Sequence, residues 1–268
     1  MKPQQGFTLI EMLVAGVLGV FILGIGLMQL QVGVKNTTSI YNQQQMMEDF
    51  RNTGNYIADN LSAAGYIFPS GAVITLGSGD YSVKNPLTSS NVWTLGTHPM
   101  VAMLLHPRDS TAACTLGVSE NGCVRFMAFY AVARSTVVTQ APANENPGAD
   151  PQNDATSWTL YAYQQAINAT SLKKYLEALD AASLLDKPSY TTSKGSLLAD
   201  YLKTSAFVVT YLNCLVDGNI QATCVNAQSS ASRLTFSMAG SMKRGSSIVY
   251  APSDKLQFQA ASRNLLLF

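Results

Sequence analysis

The sequence predicts an α+β fold, in which a long N-terminal helix packs on an antiparallel β-sheet head. No proline occurs between Pro3 and Pro69, and the intervening residues favour one helix from about residue 7 to residue 64. Toward the C-terminus, short β-prone runs alternate with glycine and proline turn signals. A chain of 268 residues is long enough to bury a sizeable core, and no internal repeat is present.

The first part of the predicted helix is apolar enough to cross a membrane. Between residues 7 and 30 the only formal charge is Glu11, and as a helix this stretch would span about 36 Å, against about 30 Å of bilayer hydrocarbon. Lys2 precedes it, which favours a cytoplasmic leader. A lone carboxylate is costly in hydrocarbon, so we interpret Glu11 as a functional group with a cationic partner. The alternative places Glu11 among the lipid headgroups.

The order of the N-terminal segments is not that of a secretory signal peptide. A short polar leader ends in Gly6 before the apolar stretch begins, and no small-residue cleavage site follows that stretch. We therefore expect the apolar segment to be retained. Its glycines at positions 16, 19, 24 and 26 allow two interpretations, namely close packing of membrane helices or a weak point in the helix.

Gly6 followed by Phe7-Thr-Leu-Ile-Glu11 resembles the signature of type IV prepilins. The resemblance implies that a prepilin peptidase cleaves between Gly6 and Phe7 and that Phe7 is then N-methylated. It also implies that Glu11 faces the Phe7 amine of a neighbouring subunit, a pair that sets register more than it adds stability. Residues 60–66 are similar to the end of this helix in the PilW branch of minor pilins.

This resemblance implies a type IV pilin-like organisation. Residues 1–6 would be the leader, 7–30 the membrane or filament-core half of the helix, 31–65 its periplasmic half, and 66–268 the β-rich head. The implied function is that of a minor pilin that primes a type IV pilus. The implied partners are the other minor pilins, the major pilin, the prepilin peptidase, the inner-membrane assembly platform and a tip adhesin.

The resemblance also implies a location. The head would lie in the periplasm, on a single inner-membrane span, before assembly, and on the pilus surface afterwards. A type II secretion pseudopilin shares the same leader and helix and remains an alternative. A membrane-tethered enzyme or DNA receptor and an unprocessed single-span protein are two further alternatives.

Four cysteines form two close pairs in the sequence, Cys114 with Cys123 and Cys214 with Cys224. Four thiols allow three connectivities, of which we predict the two local pairs; four free thiols are the alternative. Each local pair would close a short loop and stabilise the fold by about 2–4 kcal/mol in an oxidising compartment. No C-x₂-C pair is present, so we predict no metal site.

The sequence contains no recognised catalytic or cofactor motif. It lacks a G-x-S-x-G, an H-E-x-x-H, a P-loop and a dinucleotide fingerprint, and we expect neither catalysis nor a cofactor. His98 and His106 each precede a proline and are predicted to be turn residues. Lys243, Arg244 and Arg263 are too few to supply much counterion release, and the net charge is only +1, so nucleic acid is not an expected partner.

The head is predicted to be β-rich, with two short helices. The helices are expected over 171–186 and 196–203, a polar loop over 141–156, a helix C-cap at Gly65, and turns at Gly240, Gly245 and Pro252. Strands are predicted at 101–105, 124–133, 206–212, 233–238, 246–250, 255–260 and 264–268.

Overall fold

A computed structural model describes residues 8–77, 79–191, 194–216, 219–221 and 229–263 of the chain. The helices are α1 (Leu9–Ala63), α2 (Arg134–Gln140) and α3 (Leu172–Ala181), with one 3₁₀ turn at Tyr81–Val83. The strands are β1 (Ala64–Ile67), β2 (Val73–Leu76), β3 (Val92–Thr94), β4 (Met100–Leu105), β5 (Val124–Ala133), β6 (Ser157–Ile167), β7 (Ser189–Tyr190), β8 (Gly195–Lys203), β9 (Val208–Val216), β10 (Asn219–Gln221), β11 (Ser230–Arg244) and β12 (Ser247–Ala261).

The chain forms two compact units, and the division between them falls within α1, between Gln45 and Met46. The first unit comprises the helical residues up to Gln45. The second comprises the last turns of α1 and the β-rich head. The helix predicted over 7–64 and the α+β, pilin-like class are both confirmed.

The second unit is built on a nine-stranded antiparallel sheet in the order β1-β4-β5-β6-β8-β11-β9-β10, with β12 paired to β11. Side chains of α1 from Met46 onward pack with one face of this sheet. The other face packs with the small sheet β3-β2-β7 and with α3. Both faces are therefore covered, which explains why β5 is apolar at almost every position.

Two glycines let α1 lie very close to the sheet. A Cβ atom at Gly54 of α1 would lie 2.1 Å from Cζ of Phe258 in β12. A Cβ atom at Gly240 of β11 would lie 2.2 Å from Cε2 of Phe50 in α1. Each aromatic ring thus occupies the space that a side chain on the facing element would need.

A buried arginine links the loop over 141–156 to α2 and β8. Arg134, at the start of α2, donates to Asp154 of this loop and, at 2.9 Å, to Asp200 of β8. It also donates to the carbonyl of Gly148 at 2.9 Å and stacks on the ring of Tyr201. Burial disfavours the charged guanidinium, but the hydrogen bond and charge of Asp200 outweigh that effect and raise the pKa of Arg134. The loop itself contains no helix or strand, as expected.

One predicted helix is wrong. Residues 196–203 lie in β8, where they pair with β6 and, through Leu202, with β11. Helix propensity is weak there compared with the pairing partners that the sheet supplies on both sides.

The other helix of the head is shorter than predicted. α3 begins after its N-cap Ser171 and ends at Ala181, because Ser183 adopts a left-handed conformation (φ 55°). The N–H groups of Ser183 and Leu184 then bond back to the carbonyls of Asp180 and Leu179. These two bonds form a Schellman cap, which ends the helix before residue 186.

The turns predicted at Gly240 and Pro252 and the helix cap predicted at Gly65 are also wrong, whereas the turn at Gly245 (φ 60°) is confirmed. Gly240 and Pro252 lie inside β11 and β12, and the stretches 246–250 and 255–260 form the single strand β12. Gly65 is not a C-cap but lies in β1, where a Cβ atom would meet His106 Nε2 at 2.5 Å. Close packing explains Gly65 and Gly240, since neither needs a left-handed backbone.

The strands predicted at 101–105, 124–133, 206–212 and 233–238 are confirmed in β4, β5, β9 and β11. The strand predicted at 264–268 lies outside the described residues. Strands β1, β2, β3, β6, β7 and β10 were not predicted from the sequence.

Candidate functional site: the start of the long helix

The helix α1 begins with a capping box formed by Thr8 and Glu11. The Thr8 backbone N–H and hydroxyl both donate to Glu11 Oε2, each at 2.9 Å, and the Glu11 N–H lies 3.4 Å from Thr8 Oγ1. This is the reciprocal arrangement expected when threonine occupies the N-cap and glutamate the third helical position. The carboxylate is therefore held at the first turn, next to the positive end of the helix dipole.

Glu11 is the one charged residue in a long apolar surface. After it the next charge in the sequence is Lys35, and the large apolar side chains from Leu9 to Val34 are exposed. In the described residues, α1 is the one helix long and apolar enough to cross a membrane, with a window of mean hydropathy 2.4 that buries none of its residues. Such a surface is stable only when lipid or other apolar helices cover it.

Four glycines lie on one side of this segment. At 100° per residue, Gly16, Gly19, Gly26 and Gly33 fall within an arc of about 100°. A Cβ atom at any of them would meet nothing within 4 Å among the described residues, so packing within the chain does not require these glycines. Small residues in this position let a second apolar helix approach closely. The helix runs without interruption through Gly24 and Gly26, so the structure contains no break at the predicted weak point.

The head contains the first of the two predicted disulfides. Cys114 and Cys123 are bonded and close a short loop before β5. Cys214, in β9, is also disulfide-bonded. Cys224 lies outside the described residues, so the pairing of Cys214 with Cys224 stays a prediction.

His98 is part of the fold rather than of a reactive site. Its Nδ1 accepts the backbone N–H of Thr94 at 2.7 Å, and its ring meets Trp93 edge-on. Partial burial lowers the pKa of His98. His106 packs against the backbone of Gly65. Among the described residues, no group of three or more potential metal ligands is present.

The cleavage and methylation positions, Gly6 and Phe7, lie outside the described residues. Sequence reasoning assigned Glu11 a role from its isolation in the apolar run, and it missed the capping box, although the Thr-x-x-Glu spacing is visible in the sequence. It also missed the buried Arg134 cluster, whose partners come from the loop over 141–156 and from β8.

Comparison with known proteins gives one match. Residues 1–28 match the prokaryotic N-terminal methylation motif. No curated protein and no solved structure matches the chain. The motif, the exposed apolar helix and the antiparallel β-sheet head together support a type IV pilin-like or pseudopilin-type protein, a structural subunit that is anchored in a membrane before it assembles with other pilins.

Proposed function

We propose that this protein is a minor pilin of the PilW type, which primes the assembly of a type IV pilus and is incorporated near the tip. The match of residues 1–28 to the methylation motif is the observation that carries the proposal. It is supported by the apolar segment of α1, which exposes large side chains that only lipid or neighbouring helices can cover.

In this proposal the protein acts by binding particular pilin subunits in one register in preference to others. Removal of residues 1–6 leaves Phe7 with a free, cationic amine. The Glu11 carboxylate is the only charge nearby in an environment of low dielectric, so an incoming subunit gains most when its Glu11 meets such an amine. Desolvation of both groups offsets much of that attraction, so the pair selects one register rather than supplying net stability. The other minor pilins and the major pilin are the proposed neighbours.

The capping box suggests a competing role for Glu11, and two substitutions separate the roles. The substitution E11Q keeps an acceptor for the Thr8 N–H, because glutamine serves in capping boxes as glutamate does. The glutamine side chain has no charge for an amine. We expect E11Q and E11A to reduce pilus number and subunit incorporation alike. Wild-type piliation with E11Q and loss with E11A would assign Glu11 to capping alone.

Mass spectrometry of the protein from its native membrane tests the class directly. We expect the mature chain to begin at Phe7, with one added methyl group. A native chain that begins at Met1 would contradict the proposal. A G6V variant, whose bulky branched side chain at the cleavage position is expected to block processing, should retain the leader and serves as the control.

A minor pseudopilin of a type II secretion system is the alternative, since it carries the same N-terminal motif. Deletion of the gene distinguishes the two. A minor pilin is needed for twitching motility and DNA uptake, whereas a pseudopilin is needed for the secretion of exoproteins. Normal twitching together with lost secretion would decide for the alternative.

A further inference from the structure

The head contains a polar cleft that the proposed function does not explain. It has a volume of about 620 Å³ and lies between the loop closed by the Cys114–Cys123 disulfide and the strands β5 and β6. Its two cations are Arg108, before the disulfide loop, and Arg125, at the start of β5. The size is that of cavities that hold small ligands or a few residues of a peptide.

Arg125, which lines this cleft, has a hydrogen-bond donor that the described residues leave unused. Its backbone lies opposite Leu105 of β4 and Ala166 of β6, which places its side chain in the interior of the sheet rather than at an edge. Its Nε is buried and has no hydrogen-bond partner among the described residues. Burial and the positive charge of Arg108 both lower the pKa of Arg125. A partly buried guanidinium with an N–H group that has no hydrogen-bond partner is unfavourable unless an anion accepts from it.

Arg134, in the same head, shows how the fold satisfies the hydrogen-bond donors of a buried arginine. Arg134 is buried, and its donors reach Asp154, Asp200 and the carbonyl of Gly148. Among the described residues, Arg125 makes no ion pair with a carboxylate, although it is partly desolvated and close to a second cation. The buried Nε of Arg125 thus lacks the hydrogen bond that the fold supplies to the donors of Arg134.

The charges around the cleft select one carboxylate over a polyanion. Arg108 and Arg125 face one acidic lining residue, Glu120, whose Oε1 accepts the Gly117 N–H at 3.0 Å. The lining thus carries a net charge of +1, which a single carboxylate neutralises.

We propose that this cleft binds a carboxylate, presented as an acidic side chain by a partner protein. The Arg125 guanidinium would turn so that two of its N–H groups donate to the two carboxylate oxygens, the bidentate geometry that guanidinium groups favour with carboxylates. The volume leaves room for the residues that flank the acidic side chain. The disulfide holds the loop that forms one wall of the site.

The test uses the full chain in detergent and a capped tetraglutamate peptide as the probe, with tetraglutamine, acetate, inorganic phosphate and oligothymidylate as comparisons. Binding is measured by titration into the millimolar range. We expect R125Q to weaken binding of tetraglutamate at least about tenfold, which corresponds to about 1.4 kcal/mol, and R108Q to weaken it too. R233Q, at an exposed position of β11, is the matched control and should bind as the wild type does.

Several results would overturn the proposal. The first is that tetraglutamate does not bind. The second is that R125Q binds tetraglutamate as tightly as the wild type does. The third is that the wild type binds tetraglutamine as tightly as tetraglutamate. Tighter binding of phosphate or oligothymidylate would assign the cleft to phosphate groups instead, and acetate bound as tightly as the peptide would exclude a protein partner. R125Q should keep or raise the Tm. If it does not fold, R108Q carries the test, since Arg108 is exposed. No filament is needed, so failure here leaves the proposed function untouched.

Discussion

The contact between Phe50 and Gly240 gives a sharp prediction about how α1 is held on the sheet. Phe50 is fully buried, so F50A should lower the free energy of unfolding by about 3–5 kcal/mol. G240A should lower it by about 1–3 kcal/mol, because the new methyl group would lie 2.2 Å from the Phe50 ring. In the double variant the methyl group meets no ring and fills part of the cavity, and the flexible end of Met46, whose Sδ would lie 2.7 Å from the methyl group, can move into the remaining space. The loss in the double variant should therefore be smaller than the sum of the single losses, by about 1–3 kcal/mol.

The assay is urea unfolding of the full chain in detergent, followed by tryptophan fluorescence. Of the two tryptophans, Trp158 packs in the same core as Phe50 and Trp93 packs on the other face of the sheet. I57V is the matched control. Ile57 is buried on the same helix but about 10 Å from Phe50 along its axis, so its effect should add to that of G240A within about 0.5 kcal/mol. Additive losses for F50A and G240A would refute the reasoning, since they would mean that the ring does not occupy the space beside Gly240.

Three further predictions concern the head. Replacing Cys114 and Cys123 by serine should lower the free energy of unfolding by about 2–3 kcal/mol in urea titrations. The reduced wild type, which also loses the disulfide of Cys214, should lose at least as much, and a smaller loss on reduction would contradict the prediction. R134M should lower the free energy of unfolding by about 3–5 kcal/mol, because two partly buried aspartates lose their cation. Neutralising Asp154 in the R134M variant should restore part of this loss. No recovery would contradict the ion-pair account. Since burial lowers the pKa of His98 below its usual value of about 6.5, the unfolded chain takes up a proton first as the pH falls. The Tm should therefore fall as the pH decreases from 7 toward about 5. H98Q should make the Tm depend less on pH, and an H98Q profile identical to that of the wild type would refute the role of His98.

The start of α1 shows how far sequence reasoning reaches. The apolar run and its single carboxylate are local, and the structure contains the helix that they predict, with Glu11 in the first turn. The Thr-x-x-Glu spacing is local too, although its capping box was recognised only in the structure. Local signals also sufficed for β5, whose β-prone residues form a strand with the predicted bounds. In both cases the residues that determine the conformation are neighbours in the chain.

Where the deciding neighbour is distant in the chain, the sequence misled or said nothing. Residues 196–203 carry a helical pattern, but they form a strand because β6 and β11 offer hydrogen-bond partners on either side. Gly240 suggested a turn, and only the tertiary structure shows that the Phe50 ring needs its space. The sequence alone determined the long helix, its apolar first part and the isolated acid, because periodicity and charge act over a few residues. Only the tertiary structure decided the order of the strands, the close packing at the glycines and the arginine cleft, because these arise from contacts between residues that the sequence does not place side by side.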